Sequence, residues 1–317
     1  MNPQVKKFLL KLIVILLPFL ILFSWIEYKA RNLPNSYSVK KDQLEKICDS
    51  MEILVLGSSH AMKGIDPSCF RCKGFNLSNS SQTLIHDVQL SQKYLKRLPR
   101  LKAVIFEISY FSFYFDINNS PESWRNYFYY HYFDIRDPSL DMFSPLAYFY
   151  TALYTRGLIN DIVFNKLDHK KEFGDIRAYG WEYTDPPDDS TSVSGITGEK
   201  RVRFHESLMK KENSAVIIRN LKKTLSQLEK SGIRIFFVTA PVYKTYYGHF
   251  DPVRVIDNLA IIKELCRDFP VIYHDYSQDP RFGKEDFFDN DHLNHNGAYQ
   301  FSRILDEELL SSFCGKE

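Results

Sequence analysis

The sequence has little excess charge of either sign and no long basic run. Its 41 lysines and arginines nearly balance 39 aspartates and glutamates, which gives a formal net charge of +2. A nucleic-acid-binding domain would carry a basic patch or a run of Lys and Arg, so this balance argues against that class. The hydrophobic share of 44% and the charged share of 25% are those of an ordinary globular protein, which excludes a disordered chain.

Cysteine is scarce and shows no paired pattern. Only Cys69 and Cys72 are close together, whereas Cys48, Cys266 and Cys314 are scattered. A zinc knuckle needs two such close pairs, so this spacing excludes one. A disulfide is compatible with five cysteines, but the odd number leaves at least one thiol unpaired.

A long apolar run occurs only near the N-terminus, in Phe8–Ile26, where just Lys11 and Pro18 interrupt it. A bilayer core requires about 20 apolar residues, so this run predicts a transmembrane helix. Lys6 and Lys7 precede the run, and the positive-inside rule places such a terminus in the cytoplasm. We therefore expect a single-pass protein of the cytoplasmic membrane whose folded body is extracytoplasmic.

A cleaved signal peptide is the alternative interpretation of this run. The flanking sequence FSWIEYKARN offers no small-x-small cleavage site, and Trp25 and Tyr28 are typical of interfacial anchors. An uncleaved anchor is therefore favoured. The predicted organisation is a transmembrane anchor over residues 1–30, a polar juxtamembrane stalk over 31–50 and a folded domain over 51–317.

Four short apolar runs predict buried strands, because the strands of a parallel sheet are covered on both faces. They read EILVLG, KAVIFEIS, IRIFFVTAP and PVIYHDY. Helical patterns lie between them. Asn213–Lys230 has an aliphatic face and ends before Gly232, and a last helix opens near Asn294. This alternation predicts a three-layer α/β domain with a mostly parallel sheet.

The alternation fails over about residues 110–204, an insertion rich in aromatic residues. Segments such as YFSFYFDINN and WRNYFYYHYF are consistent with the lining of a cleft, with contact at the membrane surface, or with a lid packed on the sheet. The lid is favoured because aromatic side chains usually bury their area.

Two motifs carry candidate chemistry. GSSHA places Ser59 directly after the first predicted strand, and DNDHLNHNGA places Asp289 and His292 just before the last helix. Open α/β sheets bind ligands beyond the carboxyl ends of their strands, so these side chains are expected to meet there. In that arrangement His292 accepts the Ser59 proton, and Asp289 holds the imidazole in the required tautomer.

Each motif also has another interpretation. GSSHA resembles the nucleophile elbow of α/β-hydrolases, but in that fold several strands precede the serine. The second motif could be a metal cluster of Asp289, Asp291, His292 and His295, although no further ligand is identified. The favoured interpretation of Asp291 is a solvated loop acid.

Three more residues are candidates by position alone. His60 is interpreted as an accessory or structural group, because neighbouring side chains on an extended segment point apart. Tyr243 and Lys244 follow the third predicted strand, at the edge where ligands bind, and are candidate substrate-binding residues. A plain strand-end loop is the alternative for both.

Taken in order, VLGSSHA, GFNLSNSSQTL and DNDHLNHNGA resemble the SGNH (GDSL-type) hydrolase superfamily across the folded domain. The resemblance implies a three-layer, flavodoxin-like fold, with Ser59 as nucleophile, His292 as base and Asp289 as its partner, and no cofactor. It also implies that the backbone N–H groups of Ser59 and Ser81 bind the oxyanion. The family's third block has an asparagine where this chain has Ser109, whose hydroxyl is a substitute donor.

Losing one oxyanion donor lowers the rate by about 10²- to 10³-fold. The missing asparagine is therefore compatible with a slow enzyme, with a transferase shielded from water and with a decayed site. The membrane-anchored branch that this chain resembles includes the D-alanine transfer protein of teichoic acid synthesis and polysaccharide O-acetylation proteins. It implies an esterase or acyltransferase acting on ester-linked acyl groups, acetyl being favoured, of a cell-envelope glycan. A multipass membrane acyltransferase is the partner expected for a transferase. The alternative is a catalytically decayed glycan-binding or assembly subunit.

Overall fold

A five-stranded sheet forms the centre of the computed structural model, which describes residues 2–168, 174–187 and 193–314. The strand order is β2-β1-β3-β6-β7, and every neighbouring pair is parallel. The sheet strands are β1 (Ile53–Leu56), β2 (Gly74–Asn76), β3 (Ala103–Glu107), β6 (Arg234–Thr239) and β7 (Val271–Asp275). Two short strands, β4 (Asp175–Ile176) and β5 (Glu182–Tyr183), form a separate antiparallel pair. Counted along the sheet alone, the order is 2-1-3-4-5, that of flavodoxin-like folds.

Helices connect the strands and cover the sheet. They are α1 (Pro3–Arg31), α2 (Ser36–Ile47), α3 (Ser59–Gly64), α4 (Leu84–Leu95), α5 (Arg125–Phe133), α6 (Arg156–Phe164), α7 (Gly195–Leu208), α8 (Lys211–Lys230), α9 (Lys244–Tyr247), α10 (Pro252–Asp268) and α11 (His295–Leu305). The two helices predicted from the sequence are confirmed as α8 and α11, and Asn294 caps α11 by accepting backbone N–H groups of its first turn.

Each central strand buries alternate residues on opposite faces, since successive side chains point to opposite sides of a sheet. Leu54 and Phe106 belong to the core under α2, α4 and α8, whereas Val55 and Ile105 belong to the core under α3 and α11. The predicted α/β class, with a mostly parallel sheet between helices, is therefore confirmed. All four predicted strands are present.

Strand β2 was not predicted. It has only three residues, Gly74–Asn76, and pairs along one edge of β1. A segment this short has neither an alternating pattern nor a long apolar run that would predict a strand. Its extended structure is visible only through its pairing with β1.

Helix α1 is long and apolar enough to cross a membrane, and its apolar side chains are exposed to the surroundings. Its C-terminal end is held by the aromatic-rich insertion. Glu27 accepts the backbone N–H groups of Tyr150 (2.8 Å) and Thr151 (3.0 Å), and Arg31 donates to the carbonyl of Tyr148 (2.8 Å). These contacts attach the insertion directly to the candidate span.

The segment predicted as a stalk contains α2, which packs on the core of the domain. Tyr37, Lys40 and Leu44 are buried on its inner face. The Lys40 ammonium donates to the backbone carbonyl of Ser78, close to the predicted site residue Ser81. Burial lowers the pKa of Lys40 to about 7, and the negative charge of Glu182 only partly offsets that effect. The boundaries at residues 30 and 50 stay predictions.

Replacing Lys40 with methionine is expected to remove a pH-dependent cost of folding. A lysine whose folded pKa is depressed to about 7 binds its proton more weakly in the folded than in the unfolded chain, so its cost falls as pH rises from 7 towards 10.5. Denaturant unfolding should show the stability difference between wild type and Lys40→Met shrinking by about 2 kcal/mol between pH 7 and pH 9. A difference that does not vary with pH would show that Lys40 keeps an ordinary pKa.

Some aromatic side chains of the insertion are buried and others are exposed. Phe113, Tyr129 and Phe133 lie in the main core, as the favoured lid interpretation requires. Phe143 and Phe164 are instead exposed, by 97% and 68%. Single exposed apolar side chains are normal on a protein surface, so these two residues only show that part of the insertion does not pack on the core.

A disulfide joins Cys72, just before β2, to Cys314 beyond α11. Cys48, Cys69 and Cys266 are free thiols. The bridge ties together segments 242 residues apart. Disulfides are typical of oxidising compartments outside the cytoplasm.

Candidate active site

Ser59 lies at the carboxyl end of β1, where the chain turns sharply into α3. Gly57 makes this turn with a φ of 144°, and a Cβ there would come within 2.6 Å of the Cβ of Glu107. Only glycine fits such a close approach with a positive φ. The Ser58 hydroxyl then accepts the backbone N–H of His60 and caps α3, so Ser59 is the first residue of the helix.

Asp289 and His292 lie in the loop that precedes α11. The Asp289 Oδ1 atom accepts the backbone N–H groups of Asp291 (3.1 Å) and His292 (2.8 Å). Its carboxylate is thereby fixed over the same turn that carries the histidine. Asn294 accepts from the first turn of α11, which anchors the end of this loop.

The structure brings these predicted residues together. His292 Nε2 lies 2.8 Å from Ser59 Oγ, and His292 Nδ1 lies 2.9 Å from both carboxylate oxygens of Asp289. Such distances suit a proton transfer from hydroxyl to imidazole and an imidazole oriented by a carboxylate. With the proton on Nδ1, the free Nε2 lone pair faces the hydroxyl.

A pocket of about 280 Å³ opens over Ser59 and His292. Ser81, the predicted second oxyanion residue, lines it, and its backbone has a φ of 56°. Three aromatic and three cationic side chains complete most of the wall. They are Phe111, Phe115, Phe204, Lys63, Arg125 and Arg201. Glu122 lines the pocket as well and pairs with Arg125, and Arg201 pairs with Asp291, so the pocket combines apolar side chains with paired charges.

Ser109 does not line this pocket. Its hydroxyl donates to Glu107 Oε1 (2.6 Å) and lies 3.1 Å from Ser58 Oγ and from His60 Nδ1. The Ser58 hydroxyl also donates to Glu107, at 2.9 Å. Ser109 therefore belongs to a buried hydrogen-bond network beneath Ser59, and its proton points to Glu107 rather than towards the pocket.

The other end of this network is Asp291, and its interpretation as a solvated loop acid is wrong. Asp291 is only 1% exposed. Its carboxylate lies 3.1 Å from His60 Nε2, accepts from Arg201 Nε at 3.0 and 2.9 Å, and lies 3.7 Å from His292 Nδ1. A single buried acid therefore links the candidate base His292 to His60 and Arg201.

The network shifts the pKa values of its members in opposite directions. Burial alone would raise the pKa of Asp291, but the positive charges of His292, Arg201 and His60 hold it well below its usual range. Burial would also lower the pKa of His60, yet its bond to Asp291 and the charge of Glu107 raise it. Both shifts favour a charged Asp291–His60 pair.

Three residues of the network also have the donor types of a metal site. Ligand atoms of His60, Asp291 and His292 lie within 4.8 Å of one another. Arg201 already supplies a cation to Asp291, however, and both nitrogens of His60 and of His292 have polar partners. His295, a member of the predicted cluster, lies elsewhere and stacks on Tyr183. This donor set fits a hydrogen-bond network better than a metal site.

Tyr243 and Lys244 lie outside the Ser59 pocket. They line a separate depression together with Phe282 and Phe287. The backbone N–H of Tyr243 does donate to the carbonyl of Asn290 (2.9 Å), inside the loop that holds Asp289 and His292. The backbone of Tyr243 thus contacts the loop of the candidate triad, and a substrate-binding role for Tyr243 and Lys244 stays a prediction.

No protein-family model matches the chain, and no curated protein matches it. Among solved structures, a similar one is that of a Bacteroides fragilis protein whose description as an acylhydrolase is itself provisional. The two chains share 10% sequence identity, and the match covers 91% of this chain and 95% of the other with a TM-score of 0.38. Similarity this low carries no inference about fold or activity.

Proposed function

We propose that this chain is a serine esterase or acyltransferase of SGNH type. The observation that carries the proposal is the chain of contacts from Ser59 Oγ to His292 Nε2 (2.8 Å) and from His292 Nδ1 to Asp289 (2.9 Å). Nucleophile, base and orienting carboxylate are the three groups that acyl transfer through a serine requires.

In the proposed reaction, Ser59 Oγ attacks the carbonyl carbon of an ester while His292 Nε2 takes the hydroxyl proton. The oxyanion receives the backbone N–H groups of Ser59 and Ser81. The tetrahedral intermediate then collapses, the bond to the alcohol breaks, and His292 returns the proton to the departing oxygen. Water or a sugar hydroxyl releases the acyl group from Ser59 by the same steps in reverse, and Asp289 stabilises the imidazolium in both halves.

Two features support an extracytoplasmic location. One is α1, which is apolar enough to span a membrane and is preceded by basic residues. The other is the Cys72–Cys314 disulfide, because cytosolic thiols are kept reduced. An enzyme held at that surface would meet ester-linked acyl groups of cell-envelope glycans, and a multipass membrane acyltransferase would be its partner in a transferase pathway.

Covalent labelling tests the proposal. Full-length protein in phospholipid nanodiscs is treated with a fluorophosphonate probe, which reacts with activated serines. We expect labelling of the wild type, complete loss in Ser59→Ala, and no change in Ser207→Ala, whose serine is exposed on α7. Labelling that persists in Ser59→Ala would remove Ser59 from the mechanism.

The rival proposal, a decayed glycan-binding subunit, draws support from Ser109, whose hydroxyl donates to Glu107 instead of facing the pocket. It predicts an unlabelled wild type that still binds acetylated polysaccharide in a pull-down. An enzyme predicts labelling and turnover of p-nitrophenyl acetate.

A further inference from the structure

A second and larger cavity, of about 720 Å³, adjoins the pocket over Ser59. Ser80 and Arg125 line both spaces. On α3, Lys63 lines the pocket and Met62 lines the cavity, so one turn of this helix carries both Ser59 and a residue of the cavity wall. A contact from Ser80 Oγ to Met62 Sδ (3.8 Å) lies at the boundary.

The cavity is mainly apolar, unlike the charged pocket beside it. Its apolar wall consists of Met62, Trp124, Phe128, Leu146, Leu153 and Leu158. Its volume lies within the range of about 300 to 1,000 Å³ that small-molecule sites occupy. Polar side chains, among them Asn35, Arg125 and Glu182, also line the cavity, but the apolar wall is its larger part and suits a hydrocarbon chain.

One wall of the cavity is attached to the candidate membrane span. Leu158 packs against Ala30 near the end of α1, and the preceding turn binds Glu27 through the N–H of Thr151. Phe149 of the same segment contacts Phe23, within the apolar part of α1, with ring centroids 5.5 Å apart. The cavity therefore lies beside the end of the helix that would cross the bilayer.

We propose that this cavity takes the hydrocarbon chain of a long-chain acyl ester that enters from the membrane and presents its carbonyl to Ser59. The inference rests on the proposed function and names its substrate class. The chain extends from Ser59 past Ser80 and Arg125 into the apolar space. Ser59 Oγ forms the new acyl bond, the bond to the alcohol breaks, and His292 carries the serine proton to that alcohol.

Chain-length preference tests this inference. Full-length protein in phospholipid nanodiscs is assayed with p-nitrophenyl acetate and p-nitrophenyl octanoate, and the two kcat/KM values are compared. We expect octanoate to be favoured at least tenfold. Ala152→Trp, which adds bulk at the cavity wall, should reduce that ratio to near one. Ala260→Trp, on the exposed surface of α10, serves as the matched control and should keep the wild-type ratio.

Photocrosslinking separates this inference from the proposed function. An octanoate ester with a terminal diazirine should crosslink to residues 153–158 in the wild type and in Ala260→Trp, but not in Ala152→Trp. Crosslinking there without turnover of either ester would overturn the proposed function and keep the cavity assignment. Turnover without octanoate preference, together with crosslinks spread over the surface, would overturn the cavity assignment alone.

Discussion

Replacing Asp289 with asparagine is expected to lower kcat for ester hydrolysis by about 10³- to 10⁴-fold. The carboxylate now lies 2.9 Å from His292 Nδ1 and holds a proton there. An asparagine amide would donate to Nδ1 instead and leave the ring proton on Nε2. His292 could then no longer accept the proton of Ser59, although the distance between them need not change.

The loop should survive this substitution. An asparagine oxygen can still accept the backbone N–H groups of Asp291 and His292, which the Asp289 carboxylate accepts in the wild type. The measurement is steady-state turnover of p-nitrophenyl acetate, with circular dichroism as the check on folding. Asp279→Asn, on a different loop, is the control and should retain wild-type turnover. A loss of less than tenfold in Asp289→Asn would transfer the orienting role to Asp291, which is 3.7 Å from the same nitrogen.

The sequence predicted the sheet and the meeting of Ser59 with His292 because both depend on local patterns and on one topological rule. Apolar runs marked the strands, and a parallel sheet brings the residues after its strands to one edge. The turn after β1 requires Gly57, because a side chain there would clash with Glu107, and Ser58, because its hydroxyl caps the following helix. Each of these signals lies within a few residues of the group that it positions.

The buried network could not be predicted in the same way. Asp291 has its partners at His60 and Arg201, which are 231 and 90 residues away. Nothing in the motif DNDH distinguishes Asp289, which is partly exposed, from Asp291, which is buried. Burial of a carboxylate depends on distant charges that compensate it, and a single sequence does not display those pairings.

The role of Arg201, the cationic partner of Asp291, could not be predicted from the sequence either. It lies in α7, within the insertion whose fold the strand pattern could not assign, yet its guanidinium neutralises Asp291 and lines the Ser59 pocket. An α7 segment that docks over the sheet edge thus completes a site whose other parts belong to the central domain. To predict the role of Arg201, one would have to know that Asp291 is buried and then choose its cationic partner among all the lysines and arginines of the chain.

Replacing Asp291 with alanine is expected to destabilise the protein by about 3 to 5 kcal/mol, the usual cost of leaving a buried charge without its partner. His60, whose side chain is only 3% exposed, would lose its carboxylate partner inside the protein, and Arg201 would lose the same partner at a position that is 33% exposed. Urea unfolding in detergent micelles measures the effect, and Asp289→Ala is the matched control. The Asp289 side chain is 33% exposed, so its loss should cost clearly less.

The pH dependence of this destabilisation follows from His60, whose pKa is raised by Asp291 and Glu107 after the opposing effect of burial. A histidine with a raised folded pKa contributes stability that is complete below its unfolded pKa of about 6.5 and is lost as pH rises through the folded value. The difference in unfolding free energy between wild type and Asp291→Ala should therefore be larger at pH 6 than at pH 9. Equal differences at both values would mean that His60 is neutral throughout and that Arg201 alone balances the buried acid.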